Sequence, residues 1–117
     1  MTTYTIIVRV ELHKDDARTQ PHPSSATEYQ TLHEEMHSRG FFRFYKTKGG
    51  DLSKLPPGEY RLWHTSDEDD EARSVALNKA IEAATIATTA KRFSLLVSGG
   101  DSITGYQLEK ITKDPDA

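Results

Sequence analysis

The chain contains no cysteine, so disulfides, thiolate metal sites and cysteine nucleophiles are all excluded. No apolar run approaches the roughly 20 residues that span a bilayer, and nothing at the N-terminus has the pattern of a signal peptide. No membrane association is therefore expected, and a cytoplasmic location is the default. Charge of one sign is also scarce: 15 basic against 18 acidic residues leave a net −3. Nucleic-acid binding then has to come from a local basic patch and not from the field of the whole molecule; DNA is not expected as a partner. What remains is 117 residues, 35% hydrophobic and 28% charged. That is enough for one domain, 1–112, burying roughly 65% of its unfolded surface, with residues 113–117 as a frayed tail.

The most ordered stretch runs from Tyr4 to His13. Tyr4, Ile6, Val8, Val10 and Leu12 alternate with Thr5, Ile7, Arg9, Glu11 and His13, which predicts a central strand with one buried face. Lys14 to Ser24 has prolines and no apolar period, so it is a loop. Ser25 and Glu28 form a capping-box pattern ahead of a helical face of Ala26, Tyr29, Leu32 and Met36, and Gly40 stands where a C-terminal cap belongs. Residues 41–46 and 60–64 read as strands joined by a Gly- and Pro-rich connection. Ser66 and the acidic run 67–71 open a second helix reaching about Ala90. Residues 93–98 form a further strand, and alternation over 103–111 allows a short extra one.

The order strand, helix, two strands, helix, strand predicts an α+β, ferredoxin-like βαββαβ fold. Its four-stranded antiparallel sheet carries two helices on one face, with the C-terminal strand as an addition. Alternation assigns Ile7, Arg9, Glu11, His13, Phe41, Arg43, Tyr45, Arg61 and Trp63 to the open face, and Val8, Phe42, Phe44 and Leu62 to the helix side. Arg9, Phe41, Arg43, Tyr45, Arg61 and Trp63 make a surface suited to RNA bases and phosphates. The same composition suits a homodimer interface.

The opening strand, the helix ending Gly40-Phe41, the segment Leu55-Pro56-Pro57-Gly58-Glu59-Tyr60 and the strand Lys91 to Ser98 together resemble the GhoS-type antitoxin endoribonucleases. The resemblance spans roughly residues 3 to 98 and implies a ferredoxin-like domain, related in fold to the CRISPR-associated spacer-acquisition nucleases. It further implies cleavage of messenger RNA for a small membrane toxin. Glu11 matches the acidic residue late in the first strand near the nuclease site. His33 falls where an active basic residue is expected, in place of arginine, and the Lys14–Ser24 insertion and the tail depart from the pattern.

Metal-free RNA cleavage needs a base near neutral pH, a cation for the phosphate and an acid for the leaving oxygen. His13, with Arg9, Arg43 or Arg61 beside it, has the right chemistry, and it joins Glu11 and His33, which the resemblance implies, as the candidate catalytic residues. His33-Glu34-Glu35-Met36-His37 also matches H-E-x-x-H, in which two histidines one turn apart share a zinc. A metzincin third ligand would fall at Arg43, which cannot coordinate, and the stripe Tyr29, Leu32, Met36 assigns both histidines to the solvated flank. No metal ligands and no cofactor are assigned. Arg39 to Phe44 echoes an RNA-recognition-motif signature, but on the second strand instead of the third. Three readings follow: an RNA-directed endoribonuclease acting on toxin messenger RNA, a non-catalytic homodimer, and a zinc peptidase.

Overall fold

In chain order the elements are β1 (Thr2–Leu12), α1 (Thr27–Ser38), β2 (Phe44–Lys46), β3 (Leu52–Lys54), β4 (Glu59–Ser66), α2 (Asp69–Ala87), β5 (Phe93–Gly99) and β6 (Ser102–Tyr106). They come from a computed structural model that describes residues 2–46, 49–99, 102–109 and 111–112. The N-terminal alternation survives in β1. Ile6, Val8, Val10 and Leu12 are buried, while Thr5, Arg9 and Glu11 are exposed.

β1 is central, as expected: it pairs antiparallel with β4 on one side and β5 on the other. β6 adds to the far side of β5, so the sheet order is β4-β1-β5-β6. This four-stranded antiparallel sheet and two helices make an α+β fold. Its inner face meets Tyr29, Leu32 and Met36 of α1 and Ala72, Ala76, Ala80, Ala83 and Ala84 of α2 in one core. The alanines recur at helical spacing, and their short side chains let α2 lie close against the sheet. Both helices thus cover the same face. Neither is long and apolar enough to cross a membrane.

The strands of that sheet differ from the expected set. Residues 41–46, expected as the second of its four strands, meet it only at Phe42, which pairs with β4 through a two-way bond with Arg61. Beyond Phe42 the chain peels away, because Leu52–Lys54 pairs with Phe44–Lys46 and takes up their backbone groups in a separate hairpin. The tail strand supplies the fourth member instead.

Helix ends differ too. α1 starts at Thr27 with Ala26 as N-cap and no side-chain cap, so the Ser25–Glu28 capping box does not form; Glu28 reaches back to His22 at 3.7 Å. α2 starts at Asp69, since Ser66 is still in β4, and it ends at Ala87. The C-terminus of α1 is as expected. Gly40, at φ +90°, donates its N–H to the His37 carbonyl, and the Phe41 N–H reaches Met36. That is a Schellman motif, which brings Phe41 down onto the core. Gly58, at φ +83°, passes so close to β1 that a Cβ there would lie 2.7 Å from the Val10 carbonyl oxygen. The expected frayed tail, 113–117, lies outside the described residues.

Candidate functional site

The Schellman turn fixes which way the aromatic run 41–45 faces. Phe41 is turned into the core and is only 1% exposed, so its assignment to the open face is corrected. Phe42 and Phe44 take the outward positions that the alternation had given to the helix side, and their rings meet at 5.6 Å between centroids. Phe42 also meets Trp63 at 6.2 Å. On β4, Tyr60 and Leu62 face the core, and Arg61 and Trp63 face outward. The Arg61 guanidinium carbon sits 4.0 Å from the Trp63 ring centroid and 5.8 Å from that of Phe44. This stacking leaves Arg61 just 8% exposed.

Among the described residues no carboxylate pairs with Arg61, and its Nε has no hydrogen-bond partner. A desolvated guanidinium held by aromatic faces and lacking an anion is costly unless something external completes it. Trp63 keeps half its surface, 53%, open to solvent. Phe44 and Tyr45 are exposed as well.

The strip continues around the sheet edge into a cleft. A cavity of about 490 Å³ lies between α1 and the β2–β3 hairpin, lined by Gln30, His33, Glu34 and His37 on one wall and Phe41, Phe42, Arg43, Phe44 and Lys54 on the other. His37 meets Phe42 edge-on. His33 is half-buried, and its Nδ1 lies 2.7 Å from the Tyr60 hydroxyl. Burial, and then the nearby charges of Arg43 and Lys54, hold the His33 imidazolium down to a pKa of about 4. Burial pushes the Tyr60 phenol well above its ordinary value. At neutral pH the cleft therefore holds a neutral His33 imidazole, backed by the protonated Tyr60 phenol, with Arg43, Lys54 and Glu34 on its walls.

The Glu11–His13 end of β1 is elsewhere. Both side chains lie on the face turned away from the helices, and His13 Nε2 is bonded to Glu11 Oε1 at 2.7 Å. The Lys14–Ser24 loop folds back over them, bridging Pro21 to His13 and bonding the His22 N–H to the Leu12 carbonyl. Asp15 braces that loop by accepting bonds from Thr19 and Gln20, which lowers its carboxyl below the usual range. Arg18 and Gln107–Glu109 of the tail complete the walls of a second cavity, about 460 Å³. His13 is left 3% exposed with its Nδ1 unpartnered.

The three candidate catalytic residues are thus not one constellation. Glu11 and His13 pair on the outer face, and His33 belongs to the cleft on the helix side. Of the candidate RNA-binding residues, Arg61 and Trp63 form the strip, Arg43 lines the cleft and Tyr45 is exposed nearby. Arg9 shares the outer face but stands across from Glu59. His33 and His37 both line the cleft; His37 is exposed, as expected of the flank, whereas His33 is half-buried. Among the described residues no group of three or more His, Cys, Asp or Glu side chains could hold a metal ion.

Sequence reasoning missed Tyr60, Lys54, Phe42 and Phe44. The Schellman signature at Gly40 could have corrected the facing of Phe42 and Phe44, whereas Tyr60 and Lys54 carry no local signal. Against family models, curated proteins and solved structures the chain has no match.

Proposed function

We propose that this protein binds single-stranded RNA along the strip of Phe42, Phe44, Arg61 and Trp63 and cuts it, as an antitoxin-type endoribonuclease, in the adjoining cleft. The observation that carries the reading is the Arg61 guanidinium stacked on Trp63 and Phe44 with no described carboxylate beside it. Unpaired bases stack on exposed aromatic faces, and phosphates complete stranded cations. Arg43 and Lys54 continue the cationic track into the cleft. A duplex keeps its bases stacked on each other and cannot use such a strip. A messenger for a small membrane toxin is the target that the resemblance to GhoS-type proteins implies.

The finer fold reading, ferredoxin-like, fits the same picture. β5, β1 and β4 take the order of the fourth, first and third strands of that fold, and the Phe42–Arg61 bridge stands for the second. Cleavage would proceed by attack of a ribose 2′-hydroxyl on the adjacent phosphorus, its proton passing to the Glu34 carboxylate on the cleft wall. A 2′,3′-cyclic phosphate forms as the bond from phosphorus to the 5′-oxygen breaks and that oxygen takes a proton from water. Arg43 and Lys54 would stabilise the charge that builds on the phosphorane oxygens. The Glu11–His13 pair lies on the opposite face and has no role in this step.

A second reading, a homodimer through the same surface, is favoured by Leu52, which is 66% exposed close to Phe44 and Tyr45. The two readings separate in one experiment. Purified protein is incubated with single-stranded and duplex RNA, with and without chelator, while its mass in solution is measured. Binding and cleavage of the single strand, unaffected by chelator, support the proposal. Untouched RNA with a doubled mass supports the dimer.

A further inference from the structure

The hydrogen bond between Tyr60 and His33 has a direction, and that direction decides what the cleft can bind. Tyr60 is fully buried, and among the described residues its hydroxyl has one hydrogen-bond partner, the Nδ1 of His33 at 2.7 Å. A buried phenol O–H that donates to nothing loses the free energy of a hydrogen bond. Were Nδ1 to carry the ring proton and donate to the hydroxyl, the phenol hydrogen would have no acceptor. The phenol therefore donates, Nδ1 accepts, and the neutral imidazole keeps its proton on Nε2. Nε2 makes no hydrogen bond with the described residues and is not among the buried unpartnered atoms, so it opens onto the cleft.

We infer that this cleft is a phosphate-binding site in which Tyr60 fixes His33 as an Nε2–H donor to a phosphate oxygen, beside the cations Arg43 and Lys54. All three groups line this cleft and also a smaller adjoining cavity of about 170 Å³ beside Tyr29 and the turn 55–58. They supply donors and positive charge. Glu34 is the one carboxylate on the cavity wall, and it belongs to the same helix as His33. Gln30, His37, Tyr29 and Tyr60 complete the groups that face His33, and none of them carries negative charge at neutral pH.

Tyr60 is a positioning residue: it acts on the ligand only through the imidazole. His33 correspondingly becomes a neutral donor, in place of the basic residue that the resemblance implies at this point of the first helix. A neutral imidazole held in one tautomer serves as an electrophile in this way when its pKa is pushed below the working range. The inference rests on the RNA reading for the polymer that carries the phosphate, but the site is testable without it.

The test uses the intact protein and inorganic phosphate, followed by the imidazole and guanidinium nitrogen resonances. The expected result is an Nε2–H tautomer for His33 from pH 5.5 to 8, with phosphate shifting that N–H and the Arg43 side chain together. Tyr60→Phe, which keeps the ring, should release a mixture of tautomers and weaken phosphate about fivefold, the worth of one hydrogen bond. His33→Gln, which retains an N–H donor, should bind phosphate more tightly than His33→Leu. An Nδ1–H tautomer, an imidazolium at pH 6.5, or phosphate shifts confined to other residues would overturn the inference. If Tyr60→Phe fails to fold, the tautomer in the unmodified protein decides alone. Phosphate binding here without RNA binding sinks the RNA reading and leaves the site standing. RNA binding with no response at His33 sinks the site and leaves the RNA reading standing.

Discussion

Replacing His33 with glutamine should change how stability depends on pH, by an amount that follows from the ring's surroundings. In the unfolded chain the imidazole titrates near its ordinary 6.5, and in the folded protein near 4. Between those values the unfolded state holds more protons, so stability is fully present above pH 6.5 and is lost as pH falls toward 4. At pH 5 the linkage relation gives a loss of about 2 kcal/mol for a fully desolvated group. The ring borders an open cleft, and solvent screening reduces this to about 1 kcal/mol. Urea unfolding of the wild type and of His33→Gln, followed by circular dichroism from pH 5 to 7.5, measures the difference directly. Most other carboxylates and histidines titrate alike in both proteins and cancel. The wild type should lose about 1 kcal/mol more than the variant between pH 7.5 and pH 5. Parallel curves for the two proteins would refute the argument, because His33 would then titrate alike in folded and unfolded chains.

Three further outcomes follow from the packing and the charge. Gly58→Ala forces a side chain into left-handed backbone and against the Val10 carbonyl, and should lower stability by about 2 kcal/mol or more, read as a melting temperature lower by roughly 8 °C. Phe41→Ala should cost about 3–5 kcal/mol in chemical denaturation as a core truncation, whereas Trp63→Ala, half exposed, should leave stability within about 1 kcal/mol. Arg43→Ala and Lys54→Ala should each flatten the logarithmic salt dependence of single-strand affinity by about 0.7, the share of one phosphate contact; an unchanged slope in both would remove the cationic track from the account.

Much of the sheet was legible because its signals are local. The alternation of β1 needs only a period of two, and the Gly40 cap needs only its neighbours. The facing of 41–45 was misread because the strand was phased on its own. Its phase is set by the helix before it, where the Gly40 turn drops Phe41 onto Met36. The loss of residues 44–46 from the main sheet was hidden for a related reason. The short β3 competes for their hydrogen bonds, and three residues within a Gly- and Pro-rich connection give no strand pattern.

The site was legible in its residue types but not in its grouping. His13 was assigned to the correct face, but the aperiodic loop that buries it gave no sign of doing so. His33 pairs with a tyrosine 27 positions away, across two layers of the fold, and no spacing in the chain encodes that contact.

The central claim is that the outward strip of aromatics around Arg61 takes up unpaired RNA. The most direct measurement is the affinity of a labelled single-stranded oligoribonucleotide for the wild type and for the Phe44→Ala, Trp63→Ala double variant, at one fixed salt concentration, with circular dichroism confirming that both are folded. Stacking on each ring contributes about 1–3 kcal/mol, so the account predicts a loss of at least tenfold with the fold intact. Equal affinity in the two proteins would contradict it.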